Sequence, residues 1–303
     1  MKDKIDKEFI SVEKVSLKDL LRWRRERRNK HKDLTYVIPR VQVERDFLCS
    51  NRDTDCLTFV GHCTFILQLA GLTIITDPVW AARMGLDKRL TAPGVSIEHV
   101  PPIDVVLISH NHYDHLHYAS LRKLKGEPLF LVPKGLKKQL LRKGFTNVQE
   151  FEWWEQVEHL GVAFTFIPSL HWSRRTLFDL NKSLWGGWMM ESAEKNIYFM
   201  GDTGYHNHFS KIGERFSIDY ALIPIGSYEP EWFMGKQHMT PEQAVQSFTE
   251  LNAHHFIPMH YDAYRLADET PKEALDRLHA NWNTQSLDRN RLKVLSLGET
   301  LRL

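Results

Sequence analysis

Four apolar segments in the middle of the chain each run straight into a side chain able to hold a metal ion. VVLISH ends at His110, FTFIPSLH at His171, NIYFMGD at Asp202 and HHFIPMH at His260. Short continuous apolar runs are the pattern of buried strands. Strand ends along one edge of a sheet lie close in space even when far apart in sequence. Directly behind the first run, HNHYDH adds His112, Asp114 and His115. Histidine is the commonest metal ligand, and crowding so many imidazoles without a cation would set them competing for protons. The seven donors are five imidazoles, one terminal carboxylate and one bridging carboxylate, a set that suits two zinc-like ions. A structural zinc site is closed and often uses Cys, whereas a pair of ions with open positions favours hydrolysis. The plainer reading, satisfied core histidines beside a surface loop, requires all these strand-end coincidences to be accidental. His117, just past the cluster, reads as a helix-start residue.

The remaining pattern builds a frame for those strand ends. CLTFVG, TFILQLAG and LTIITDP read as three strands, with Gly61 and Gly71 at their joints and a hairpin at LAGL. A Gly/Pro-containing loop, MGLDKRLTAPGVSIEHVPP, leads to the first ligand strand; YASLRKLKG has helical character, PLFLVP is a strand, and KGLKKQLLRKGF is a basic amphipathic helix. SLWGGWMMES and IDYALIPIG join the later ligand strands. TPEQAVQSFTELN is a helix with Thr240 as N-cap and Pro241 in its first turn, and PKEALDRLHANW is another. Two mixed sheets covered by helices make one α/β domain of four layers, expected over residues 46–303.

A basic arm or helix, residues 1–45, precedes it. Residues 1–40 hold thirteen Lys/Arg against seven Asp/Glu, while the rest carries 27 against 31. The block LLRWRRERRNKHK reads as a solvated helix or an arm folded over the domain, in preference to a membrane-surface or nucleic-acid patch, because the body is not basic. Cys49, Cys56 and Cys63 are odd in number and match no Cys-x-x-Cys pattern, which fits a reducing compartment. No run of eighteen apolar residues exists and the N-terminus lacks the apolar stretch of a signal peptide, so a cytoplasmic protein is expected.

His-x-His-x-Asp-His followed by a distant His, Asp and His resembles the metallo-β-lactamase-fold superfamily. The resemblance implies a four-layer αββα sandwich with metals at one edge of the sheets. It assigns His110, His112 and His171 to one metal and Asp114, His115 and His260 to the other, with Asp202 bridging. GHCTFIL, TDPVW, PPIDVVLISHNHYDHLHY, FEWWE, HWSRRTLFD, LWGGW, GDTGYH, IPIGSYEPEWFM and QHMTPEQAV, spanning roughly residues 57–265, look like the N-acylphosphatidylethanolamine-hydrolysing phospholipase D group. The basic arm does not obviously match the animal lipase of that group.

That likeness implies a phosphodiesterase that releases N-acylethanolamine and phosphatidic acid by attack of a metal-bridging hydroxide on phosphorus, without a covalent enzyme intermediate. Two zinc ions are implied, with Mn or Fe able to replace them. Asp114, Asp202 and His238 are the catalytic candidates. His238 could bind phosphate or protonate the leaving oxygen, or simply help cap the following helix. His62 and Asp77 are candidates to orient the ligands, or to brace turns. Tyr228, Trp232 and Phe233, in a polar-flanked loop, and Arg175, beside Arg174, are the candidate substrate contacts. The partner is an anionic phosphodiester such as a phospholipid. The reading leaves room for peripheral membrane contact and a homodimer, and no nucleic acid is expected. Competing readings are a lactonase or ester hydrolase resembling the ascorbate-6-phosphate lactonase group, a nuclease, and a non-catalytic metal-binding protein.

Overall fold

A computed structural model describes residues 7–10 and 16–303. Its first half contains β1 (Cys56–Gly61), β2 (Thr64–Leu69), β3 (Leu72–Thr76), the short strands β4 (Arg83–Met84) and β5 (Asp87–Lys88), β6 (Val105–Leu107), β7 (Leu129–Pro133) and β8 (Val148–Phe151). The second contains β9 (Gln156–His159), β10 (Val162–Pro168), β11 (Gly186–Glu191), β12 (Asn196–Phe199), β13 (Tyr220–Pro224) and β14 (His255–Met259), with β15 (Thr300–Arg302) near the end. The helices are α1 (Leu17–Arg28), α2 (Arg45–Ser50), α3 (Tyr118–Leu121), α4 (Lys137–Arg142), α5 (Phe209–Arg215), α6 (Glu231–Met234), α7 (Pro241–Glu250) and α8 (Pro271–Thr284).

Two large sheets form, one ordered β15-β1-β2-β3-β6-β7-β8 and the other β14-β13-β12-β11-β10-β9. Each is antiparallel through its meander and parallel beyond it: β3 pairs β6 in parallel, and β12 pairs β13 in parallel. The expected hairpin at LAGL is there, with Ala70 at φ 50° and Gly71 at φ 81° turning β2 into β3. Two successive left-handed residues are what a tight hairpin turn requires.

Period-two alternation sorts the first sheet's side chains onto two faces. Phe65, Leu67, Ile74, Leu107 and Leu131 join Phe164, Phe166, Trp188 and Phe199 of the second sheet in one apolar core. Their alternates Ile66, Ile75, Val106, Phe130 and Val132 pack with Leu48 of α2, Leu121 of α3 and Leu140 of α4. The second sheet is covered by α5, α7 and α8 through Phe209, Phe248, Leu278 and Trp282. The layers are therefore α, β, β and α. Each fully buried aromatic or aliphatic contributes about 1.5–3 kcal/mol, and truncating Phe166 to Ala would cost about 3–5 kcal/mol.

Helix starts are built as their sequences foretell. Thr240 accepts from the Gln243 amide at 3.3 Å while the Gln243 side chain accepts from the Thr240 amide at 3.1 Å, and Pro241 opens α7. Thr270 and Glu273 repeat this capping box on α8. His117 caps α3, as its position suggested, but that helix is a single turn. The stretch read as a plain loop, MGLDKR, instead folds into the β4–β5 hairpin. Among the described residues no helix is long and apolar enough to cross a membrane.

Candidate metal centre

Donors arrive from both sheets. β6 runs into His110, and its following loop carries His112, Asp114 and His115; β10 leads to His171, β12 to Asp202 and β14 to His260. Gly201, at φ +65°, makes Asp202's approach feasible: a Cβ there would stand 2.7 Å from the Gly186 carbonyl oxygen and 2.9 Å from Ser109 Cβ. His62, Asp77 and His260 also hold left-handed backbones, at φ 60°, 32° and 64°. Such conformations cost free energy and concentrate where side chains must be aimed.

The donor atoms fall into two neighbouring groups. His110 Nε2 lies 2.8 Å and His171 Nε2 3.3 Å from His112 Nδ1. Asp202 Oδ2 lies 3.2 Å from both His115 Nε2 and His260 Nε2, and 3.9 Å from both His110 Nε2 and His171 Nε2. Asp114 Oδ2 lies 3.3 Å from His115 Nε2 and 3.4 Å from His260 Nε2. Ligands bonded to one tetrahedral ion at about 2.0–2.2 Å stand about 3.3–3.6 Å apart, so most of these separations suit shared cations. Among the donor-facing atoms, His115 Nε2, His260 Nε2 and Asp202 Oδ1 are buried without a hydrogen-bond partner. Buried polar atoms left that way are costly. The donor set fits two metal ions, with Asp202 reaching both groups.

Charge supports the same arrangement. Burial, followed by repulsion from neighbouring imidazoles, holds His110 well below its ordinary value. Burial likewise depresses His112 to about 4 and His171 to about 3, leaving neutral rings. For Asp114 and Asp202 burial pushes upward, but His115, together with His260, holds both carboxyls well below the usual range. Burial pushes His115 and His260 downward, but Asp202 and Asp114 outweigh it and hold His115 well above its ordinary value and His260 up to about 9, so each of these two rings must release a proton for a cation to take its place.

Around the donors lies a supporting set. Asp77 accepts from His115 Nδ1 at 2.7 Å, from the Ser109 amide at 2.8 Å and from the Ser109 hydroxyl at 2.5 Å. His62 Nε2 stands 3.1 Å from Asp114 Oδ2, and the His62 amide donates to Asp262 Oδ1 at 2.7 Å. His171 Nδ1 donates to the Gln237 carbonyl at 3.0 Å, which turns Nε2 toward the centre. His238 faces the donors, with Nδ1 3.9 Å from Asp202 Oδ2 and its ring stacked 5.4 Å from His260. The capping alternative for His238 is not realised, because Thr240 and Gln243 complete that cap without it. Cys63 lies in a group with His62, His115 and His260, but burial raises its thiol well above the ordinary value and keeps it protonated.

The centre opens on a groove of 640 Å³ lined by Met84, Tyr113, Trp172, Arg83 and Arg174 together with His112 and Asp114. A larger cavity of 1070 Å³, between residues 40–47 and 92–99, includes none of the donors.

The structure moves four candidate substrate contacts elsewhere. Arg175 turns inward and donates to the carbonyls of Asn111 (2.8 Å), His112 (3.2 Å) and Leu116 (2.7 Å), so it braces the ligand loop while Arg174 lines the groove. Tyr228 is 1% exposed, in the core beneath the Arg277 guanidinium. Trp232 and Phe233 receive α1: Arg22 lies 3.9 Å over the Trp232 ring, and Trp23 packs 5.3 Å from Phe233. Loop polarity suggested exposure, which holds only for Trp232, 37% exposed; the neighbours that cover Tyr228 and partly cover Phe233 come from remote segments.

Sequence reasoning missed Ser109, Asp262, Trp172 and Phe9. Ser109 directly precedes His110, and Asp262 follows His260 by two, so the strand-end argument could have reached both. Trp172 sets its ring 4.5 Å from that of His112. Phe9 had no local signal: its carbonyl accepts from the His171 amide and from Trp185 Nε1, each at 3.2 Å, and Ile10 bridges His171.

Residues 73–261 match the family described as Beta-lactamase superfamily domain. The chain belongs to that family. N-acyl-phosphatidylethanolamine-hydrolyzing phospholipase D 1 of Caenorhabditis elegans is 36% identical over 68% of this chain and 64% of its own length. The mitochondrial N-acyl-phosphatidylethanolamine-hydrolyzing phospholipase D of Saccharomyces cerevisiae is 36% identical over 74% of this chain and 52% of its own length. The chain thus spans 64% and 52% of these relatives. The solved metallo hydrolase Igni18 of Ignicoccus hospitalis shares the fold, with TM-score 0.65 and 24% identity over 83% of this chain and 99% of that one.

Proposed function

We propose that this protein is a metal-dependent hydrolase, a phosphodiesterase that cleaves N-acylphosphatidylethanolamine to N-acylethanolamine and phosphatidic acid. The observation that carries the reading is the pair of donor groups sharing Asp202 at the foot of an aromatic- and arginine-lined groove. The phospholipase names of the two relatives supply the substrate class. His110, His112 and His171 would hold one ion and Asp114, His115 and His260 the other, with Asp202 between them. The imidazole-rich set favours zinc. Two such cations, when bound, supply Lewis acidity and lower the pKa of water.

The chain's own residues then orient the reaction. Arg174 attracts the phosphodiester, while Trp172, Tyr113 and Met84 offer apolar surface to an acyl chain. Water oxygen bonds to phosphorus as the bond from phosphorus to the ethanolamine oxygen breaks, and a proton passes to that leaving oxygen. Burial holds His238 to about 3. It is therefore a neutral imidazole, suited to donate a hydrogen bond to a phosphoryl oxygen. No side chain is required to form a covalent intermediate.

The test is incubation of zinc-loaded protein with N-acylphosphatidylethanolamine, following both products, with Asp202→Asn as control. Release that vanishes in the variant supports the reading, as does a lack of alcoholysis product in butanol. No release from protein with confirmed metal content sinks the lipid substrate, and lactones and soluble phosphodiesters become the next substrates to assay.

A further inference from the structure

Helix α1 is used on one side only. Trp23 Nε1 donates to Asp268 Oδ1 at 3.1 Å, Arg27 pairs with the same carboxylate at 3.5 Å, and Lys30 reaches Asp268 at 3.3 Å and Glu229 at 3.2 Å. Lys32 adds Glu229 at 2.9 Å and Glu273 at 2.8 Å. With Trp23 packed on Phe233 and Arg22 over Trp232, one face of the helix is fixed to the body.

The opposite face carries a different composition. Leu17, Lys18, Leu21, Arg24, Arg25 and Arg28 fall within an arc of about 120° at the α-helical repeat. All six are exposed, Leu17 at 71% and Leu21 at 57%. Among the described residues, Lys18, Arg24, Arg25 and Arg28 make no side-chain ion pair or hydrogen bond. The two acids of the helix lie off this arc: Asp19 is engaged by Ser16, and Glu26 by Arg22 and Trp232. A merely solvated face mixes both signs. This one carries four cations, two leucines and no anion.

We propose that the outward face of α1 docks the protein on an anionic lipid bilayer. Its cations match a negative headgroup layer, and its leucines can enter the acyl boundary while the long basic side chains reach back to the phosphates. The leucines decide between polyanions, since a nucleic-acid backbone offers them no apolar phase. The acidic balance of residues 41–303, 27 Lys/Arg against 31 Asp/Glu, also disfavours a nucleic-acid path across the body. The inference is separate from the hydrolytic reading, because its readout is partitioning rather than turnover.

The full chain would be co-sedimented with vesicles of phosphatidylcholine and with vesicles of equal parts phosphatidylcholine and phosphatidylglycerol. Binding is expected to the anionic vesicles only, weakening as salt rises. Each cation near the surface is worth about fivefold, so Arg24→Gln/Arg25→Gln/Arg28→Gln should weaken partitioning by about a hundredfold, with circular dichroism unchanged. Leu17→Ser/Leu21→Ser should weaken it while leaving the salt dependence in place. Lys137→Gln/Lys138→Gln/Arg142→Gln, which removes equal charge on α4, should retain it. Absence of anionic-vesicle binding by the parent chain would overturn the proposal. So would equal losses in the α1 and α4 variants, or α1-dependent binding of a single-stranded RNA without vesicle binding.

Discussion

Asp77 holds His115 by a hydrogen bond of 2.7 Å to Nδ1, the ring nitrogen that points away from the donor cluster. The bond fixes both the tautomer and the tilt of the ring, leaving Nε2 to face Asp114 and Asp202. Asp77→Ala should therefore lower metal affinity by about 10–100-fold although Asp77 is not among the seven donors. A zinc competition titration reads this directly. Unchanged affinity would reduce Asp77 to a turn residue.

Arg175 and Arg174 should separate cleanly. Arg175→Met removes charged donors from three carbonyls of the ligand loop, a loss of about 2–4 kcal/mol, visible as a lower denaturation midpoint. Arg174→Ala should leave that midpoint nearly unchanged and raise KM for an anionic diester. Exchange of the two outcomes would mean that the groove is lined by the other arginine.

Metal removal should destabilise the whole fold, because the donors join strands from both sheets. Binding at a thousandfold over Kd stabilises by about 4 kcal/mol, so chelation should lower Tm by several degrees and readdition of zinc should restore it. Metal analysis of the parent chain is expected to approach two ions, falling in Asp202→Asn. A Tm indifferent to chelation, with metal demonstrably removed, would argue against a folded dependence on these ions.

The docking of the segment after α1 should weaken at both ends of the pH scale. Burial pushes Glu229 upward, but hydrogen bonds from Lys32 and Lys30 outweigh it and depress the carboxyl. Its contribution is thus present above the ordinary glutamate range near ~4.3 and lost as pH falls through the depressed value. For Lys32, burial pushes downward and bonds from Glu229 and Glu273 prevail, raising it. That contribution is complete below the ordinary lysine range near ~10.4 and lost as pH rises through the raised value. Limited proteolysis across pH would follow both limbs, and Lys32→Met should remove the alkaline one and blunt the acid one.

What could be read from the sequence followed local physics. Apolar runs ending in His110, His171, Asp202 and His260 announce buried strands with donors at their tips, and Thr240 with Gln243 announces a helix start. The substrate-facing side chains were not legible. Whether Tyr228, Trp232 or Phe233 is exposed depends on Arg277 and α1, which lie far along the chain. Choosing between Arg174 and Arg175 needs the course of a loop that has no period. The Phe9 carbonyl on the His171 amide is a backbone contact that any residue could make, so side-chain chemistry does not mark it.

The two sheets contribute unequal shares to one cluster: His110 to His115 follow β6, while His171, Asp202 and His260 follow strands of the other sheet. A cation gripped by both sets would act as a rivet through the seam of the sandwich. Seam packing would then be felt as chemistry, since a slide of one sheet over the other by a few tenths of an ångström moves every cross-sheet donor pair at once. Repacking Phe166 or Trp188, which lie in the core and do not line the groove, is accordingly a way to detune the centre from below.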